Sequence, residues 1–173
     1  MVEIIDTGIP AETNNRIIEL IKEKGKWKFA KDQKGETISQ KDKGMFMFSY
    51  NEMQQTLFDI HHPINSNAFF IYDIIRSKIR QKFSSLNRIC WNVYWKSITE
   101  PDFHIDANEH KYFTFIYNLH DNDGGTEIKI NDKTEFYISK SGQAIIFPSH
   151  LTHRGIAPKT EKIRFSVAFM AII

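Results

Sequence analysis

Two hydrophobic periods divide the chain. Over 10–24 the apolar residues Ile17, Ile18, Leu20 and Ile21 gather on one side of a 3.6-residue turn, which predicts a helix stopped by Gly25. The stretch 31–44 is rich in Lys, Asp, Gln and Gly, a composition that resists core formation and predicts a mobile surface loop. Residues 45–50 read as a short strand. A second helix is predicted over 67–83 from Phe70, Ile71, Ile74, Ile75 and Ile79, with Ser66 as its cap.

After Phe83 the period becomes that of strands. Segments 89–95, 112–119, 126–130, 134–138, 144–147 and 163–172 are short and rich in aromatic or branched residues. Turn signals separate them at 121–125, 131–133 and 141–142. Helices followed by antiparallel-type strands predict a mainly β fold, a jelly-roll barrel with the N-terminal helices packed on one sheet. In the last strand Arg164, Ser166, Ala168 and Met170 share one face, and Phe165, Val167, Phe169 and Ala171 the other. Both faces are largely apolar, so both should be covered.

Composition narrows the setting. A chain of 173 residues fits one domain, with 1–87 as helical support and 88–173 as the barrel. The net charge of +2 gives no reason to expect nucleic acid or an acidic membrane as partner. With one cysteine, Cys90, an intramolecular disulfide is excluded. The start of the chain lacks the pattern of a signal peptide, and no apolar run approaches the roughly 20 residues that cross a bilayer. The expected location is cytoplasmic. Cys90, Trp91 and Trp95 read as core.

The chemistry concentrates in the C-terminal half. His104 and Asp106, at i and i+2 of an extended segment, point the same way. With His153 from a distant strand they make two histidines and one carboxylate, a set that leaves metal positions open and suits non-heme Fe(II). His150 is a local rival for the third place. Arg164 and Ser166 repeat the i, i+2 spacing. A guanidinium on an apolar face is costly unless an anion meets it, and its fork of donors matches a carboxylate. The pattern points to a small acid that chelates the metal.

The order His104-x-Asp106, His153, then Arg164-x-Ser166 resembles the 2-oxoglutarate/Fe(II)-dependent oxygenases, in particular their prolyl-hydroxylase-like branch. The stretch from Gly142 through Phe147-Pro148-Ser149 to His153-Arg154 is similar to the family's lead into the distal ligand. Tyr117-Asn118-Leu119 followed by Gly124-Gly125-Thr126 is similar to its central strand and glycine turn. The resemblance covers about 88–172. It departs after Tyr94, where Trp95-Lys96-Ser97-Ile98 stands in place of the family's frequent Pro-Gly pair.

The resemblance implies a double-stranded β-helix that uses Fe(II), 2-oxoglutarate and O2, with ascorbate as an accessory reductant. His104, Asp106 and His153 would bind the metal and favour His153 over His150. Arg164, assisted by Ser166, would take the far carboxylate of 2-oxoglutarate, with Asn92, Tyr94 and Asn118 as further contacts. Halogenating relatives lack the carboxylate, so Asp106 implies hydroxylation or a related oxidation. The primary substrate expected is a peptidyl or free amino acid, or another small molecule, chosen by loops around 30–44, 96–103 and 107–111, the first a candidate lid. His61, His62, His110 and His120 receive no role. A cupin-type metal protein and a non-enzymatic jelly-roll module are the alternatives; neither needs this full set in this order.

Overall fold

The computed structural model describes residues 2–24, 28–29, 45–51, 63–96, 101–160 and 163–173, and of 28–29 and 45–51 the backbone alone. The predicted polar loop 31–44, His61, His62 and residues 97–100 lie outside the described residues. Among the described residues ten strands and two helices follow in chain order: β1 Glu3–Asp6, α1 Ala11–Lys24, β2 Lys28–Phe29, β3 Met45–Asn51, α2 Pro63–Lys78, β4 Ser85–Trp95, β5 Tyr112–Asn118, β6 Asn122–Ile130, β7 Lys133–Ser139, β8 Gln143–Pro148, β9 His153–Ile156 and β10 Ile163–Ile172.

All pairings are antiparallel. A seven-stranded sheet runs in the order β1-β8-β5-β10-β4-β3-β2, and a three-stranded sheet in the order β7-β6-β9. From β5 to β10 the chain passes between the two sheets, as a jelly roll requires. The architecture is the mainly β double-stranded β-helix with helices on one sheet.

Each face of the large sheet has its own cover. The outer face packs Trp91, Val93, Phe115, Tyr117, Val167 and Phe169 against Ile17, Ile18 and Ile21 of α1 and Ile64, Ala68, Ile71, Tyr72 and Ile75 of α2. Full burial of one such aliphatic side chain contributes about 2 kcal/mol. The inner face gives Cys90, Ile116, Ile145, Phe147 and Ala168 to a second cluster, which Ile128 of the small sheet joins. Tyr117 shows how the helical layer is fixed in register: its hydroxyl donates to Asn14 Oδ1 of α1 at 2.7 Å.

Several boundaries differ from the sequence reading. α2 begins at Pro63, so Ser66 lies inside the helix rather than capping it. Proline needs no N–H partner in a first turn, and its preset φ suits that place. The helix also stops at Lys78; Phe83 leaves it and packs edge-on against Phe113 and Phe115. Phe70, placed on the apolar face, is instead 49 % exposed. β1, β2 and β9 were not anticipated; each has only two to four residues. The run 121–125 is not a free turn either, because β6 starts at Asn122 with a shift of register before Gly125. A Cβ on Gly124 would lie 2.6 Å from the Ile156 carbonyl oxygen, so these glycines serve close strand approach. The turn at 131–133 does form, with Asn131 and Asp132 at φ 47° and 62°, the left-handed pair a two-residue hairpin uses.

Candidate metal and anion site

Register decides which side chains meet. Directly opposite residues of antiparallel strands share a face. Arg164 lies opposite Tyr94, and Ser166 lies between Asn92 on β4 and Asn118 on β5. The strands therefore set all five predicted anion contacts on the inner face of the large sheet. Thr114, two pairs further along β5 and opposite Met170, belongs to the same face.

The three predicted metal ligands come together at the other end of that face. His104 and His153 form a β-bridge and exchange two backbone hydrogen bonds, 2.9 and 2.8 Å long. Asp106 follows and hangs on the Ser149 carbonyl through its own N–H at 3.1 Å. One ligand atom from each of His104, Asp106 and His153 lies within 4.8 Å of the others. His153 is buried, Asp106 half-buried and His104 exposed, so the cluster opens to solvent on one side. His150 is turned elsewhere: its ring meets that of His110 edge-on at 4.4 Å.

Hydrogen bonds leave the right atoms for a cation. His153 Nδ1 donates to the Leu151 carbonyl at 3.0 Å, so Nε2 carries the lone pair. That nitrogen faces Asp106 Oδ2 at 3.5 Å. Two electron-rich atoms so placed call for a positive ion beside them. Burial pushes the His153 imidazole below its ordinary pKa, an effect Asp106 opposes, and the neutral ring is the form that ligates metal. Phe147 closes over the same ring at 4.8 Å.

Asp106 is held more firmly than its sequence position suggested. Arg88 Nη2 donates to Oδ1 at 2.5 Å and Thr114 Oγ1 to Oδ2 at 2.8 Å. Thr114 has one hydroxyl hydrogen and gives it to Asp106, so the 2.8 Å contact with Ser149 Oγ is donated by Ser149. Burial by itself would raise the carboxyl pKa; Arg88, His153 and these hydrogen bonds outweigh it and lower it to about 2. Asp106 is therefore a carboxylate at neutral pH.

Arg164 shows the opposite condition. It is buried to 1 % exposure, and burial pushes its pKa below that of a solvated arginine. Nη2 donates to Asn118 Oδ1 at 3.1 Å and Thr126 Oγ1 at 3.3 Å, and Cζ lies 5.2 Å from the Tyr94 ring centre. Nε and Nη1 have no partner among the described residues. No carboxylate pairs with this guanidinium there. A fork with two unmet donors fits the carboxylate of a small acid. Tyr94 reaches across to β9, where a Cβ on Gly155 would come within 2.5 Å of its hydroxyl. Among the described residues Asn92 makes local contacts with Cys90.

Sequence reasoning gave no individual role to Arg88, Thr114, Ser149, Thr126 or Gly155, although Ser149 and Thr126 stand in the motifs it singled out. It also missed the brace on the His104 segment. Phe103 has Lys129 Nζ at 4.2 Å and Arg154 Cζ at 4.3 Å from its ring centre. Arg154 is itself paired with Glu127 at 2.7 Å and donates to the Pro101 carbonyl. Such stacking of cations on an aromatic face contributes about 0.5–1 kcal/mol each at exposed sites.

No known family profile matches the chain, and no curated protein matches it in sequence. Solved structures do. A prolyl hydroxylase from Trichoplax adhaerens, in complex with a hypoxia-inducible-factor oxygen degradation domain peptide, aligns over 99 % of this chain and 83 % of its own, with TM-score 0.72 and 10 % identity. A Pseudomonas putida prolyl-4-hydroxylase aligns over 99 % and 92 %, with TM-score 0.67 and 11 % identity. A non-heme α-ketoglutarate-dependent carbocyclase from nogalamycin biosynthesis aligns over 99 % and 79 %, with TM-score 0.69 and 8 % identity. At such identities the likeness is one of fold: the chain has the double-stranded β-helix of prolyl hydroxylases and other non-heme 2-oxoglutarate-dependent oxygenases.

Proposed function

We propose that the protein is an Fe(II)- and 2-oxoglutarate-dependent dioxygenase that hydroxylates a peptidyl or free amino acid residue. The carrying observation is the pairing, on one inner face, of a His104–Asp106–His153 cluster with a buried guanidinium that has two unmet donors. An ordinary metal site has no use for the second feature. A cupin or a binding module has no use for the two together.

In this reading His104, Asp106 and His153 hold the metal, and the neutral tautomer of His153 presents Nε2 to it. Arg164 takes the distal carboxylate of 2-oxoglutarate through Nε and Nη1, with Ser166, Tyr94, Asn92 and Asn118 around it. When bound, iron, 2-oxoglutarate and O2 supply an oxidative decarboxylation that yields succinate and CO2 and hydroxylates the substrate. The chain contributes position and dryness. Arg88 and Thr114 fix the Asp106 carboxylate, and Ile116, Ile128, Ile145 and Phe147 keep bulk water from the inner face. Ascorbate would serve as an accessory reductant. Among the described residues no helix is long and apolar enough to cross a membrane.

An anaerobic titration with Fe(II) and 2-oxoglutarate tests the reading. The chelate should give a visible charge-transfer band, and Arg164→Ala should weaken 2-oxoglutarate binding about 100-fold while leaving metal affinity in place. A mixture that stays colourless overturns the proposal.

A further inference from the structure

One charged side chain on the inner face has no task in that scheme beyond holding Asp106. Arg88 stands on β4 two, four and six residues before Cys90, Asn92 and Tyr94, in the same inward row. Its Nη2 meets Asp106, its Nε is buried with no partner among the described residues, and its side chain is 25 % exposed. A quarter of this side chain thus remains open to solvent while it holds Asp106. Arg88 pairs with Met170, whereas Tyr94 pairs with Arg164. Six residues of strand separate the two positions by about 20 Å of backbone.

Charge counting says what the second one lacks. Arg88 and Arg164 bring two positive charges to the inner face and Asp106 one negative. A divalent metal and a dianionic 2-oxo acid cancel each other, so the loaded site keeps one positive charge in excess. Glu127 is no remedy, because it is paired with Arg154. A charge in a half-buried, apolar-walled site is costly unless an anion meets it. From these observations, and resting on the oxygenase reading, we infer that the primary substrate carries a carboxylate and that Arg88 receives it, at the end of the inner face remote from Arg164.

N-acetylated amino acids and their carboxamides are matched probes that differ in this one group. They are added to the cobalt(II)-substituted protein with 2-oxoglutarate, where the cobalt spectrum reports binding, and to the iron enzyme, where succinate release reports coupling. The acids should act at concentrations about tenfold or more below the amides. Arg88→Met should bring the acid-to-amide ratio to about one, and Arg88→Lys should retain part of it. The ratio divides out any loss of metal or of folded protein common to both probes. An equal response to acid and amide, no response to either, or a preference that survives in Arg88→Met overturns the inference. Absence of the charge-transfer band before any probe is added overturns the oxygenase reading itself.

Discussion

The two ends of the inner face are finished to different degrees. At one end Asp106 receives Arg88 and Thr114, and its neighbour His153 is oriented by Leu151. At the other, Arg164 is more deeply buried yet leaves Nε and Nη1 unmet among the described residues. Anchoring a ligand needs its geometry set beforehand, since a carboxylate that swings would hold metal poorly. Receiving a transient acid needs donors left over. On the proposed reading, the contrast separates permanent machinery from a docking point.

The sharpest break is at the finished end. His153→Ala should lower Fe(II) or Co(II) affinity at least about 100-fold, measured by calorimetric titration, with 2-oxoglutarate no longer retained. Retention of metal would remove His153 from the ligand set. Acid should be the next largest lever. The folded carboxyl of Asp106 titrates near 2, below the ordinary 3.8, so its stabilisation is complete above that ordinary value and is lost as pH falls through about 2. In the metal-free protein this amounts to about 2 kcal/mol, and Asp106→Asn should flatten the fall of the urea-melt unfolding free energy between pH 4 and 2 by that order. An unchanged acid limb would mean that Arg88 and Thr114 do not favour the ionised form.

Thr114→Val should weaken metal binding about tenfold with little change in fold, because it removes one donor to Asp106 and leaves the Ser149 hydroxyl to turn elsewhere. The smallest effect is expected at the unfinished end. Without 2-oxoglutarate, Arg164→Met should lower the unfolding free energy from urea melts by no more than about 1 kcal/mol, since an uncompensated buried charge is itself a cost to folding. A loss of several kcal/mol would reveal an internal partner and erase the contrast. Added 2-oxoglutarate should stabilise the native protein and not the variant.

What the sequence could disclose follows the same division. His104 and Asp106, or Arg164 and Ser166, are two positions apart, and strand alternation alone sets each pair on one side. The braces are not local. Arg88 reaches Asp106 over 18 residues and Thr114 meets Ser149 over 35, so only register brings them together. Read along the chain, Arg88 is one more polar residue before a strand. The helical layer failed in a different way. Ser66 looked like a cap because its side chain suits one, while Pro63, three residues earlier, opens the helix by needing no donor. The glycines at 124 and 125 read as a turn because glycine permits turns; here it permits contact.

The bridge between His104 and His153 has a consequence for the chain as a polymer. Residues separated by 49 positions are joined there through two backbone hydrogen bonds. A metal ion gripping both rings would tie the same two points, closing the loop that contains β5 to β8. Closing a long loop removes entropy from the opened chain, much as a disulfide does. The single-cysteine chain would thus carry a removable cross-link, one that a chelator can undo without any reductant.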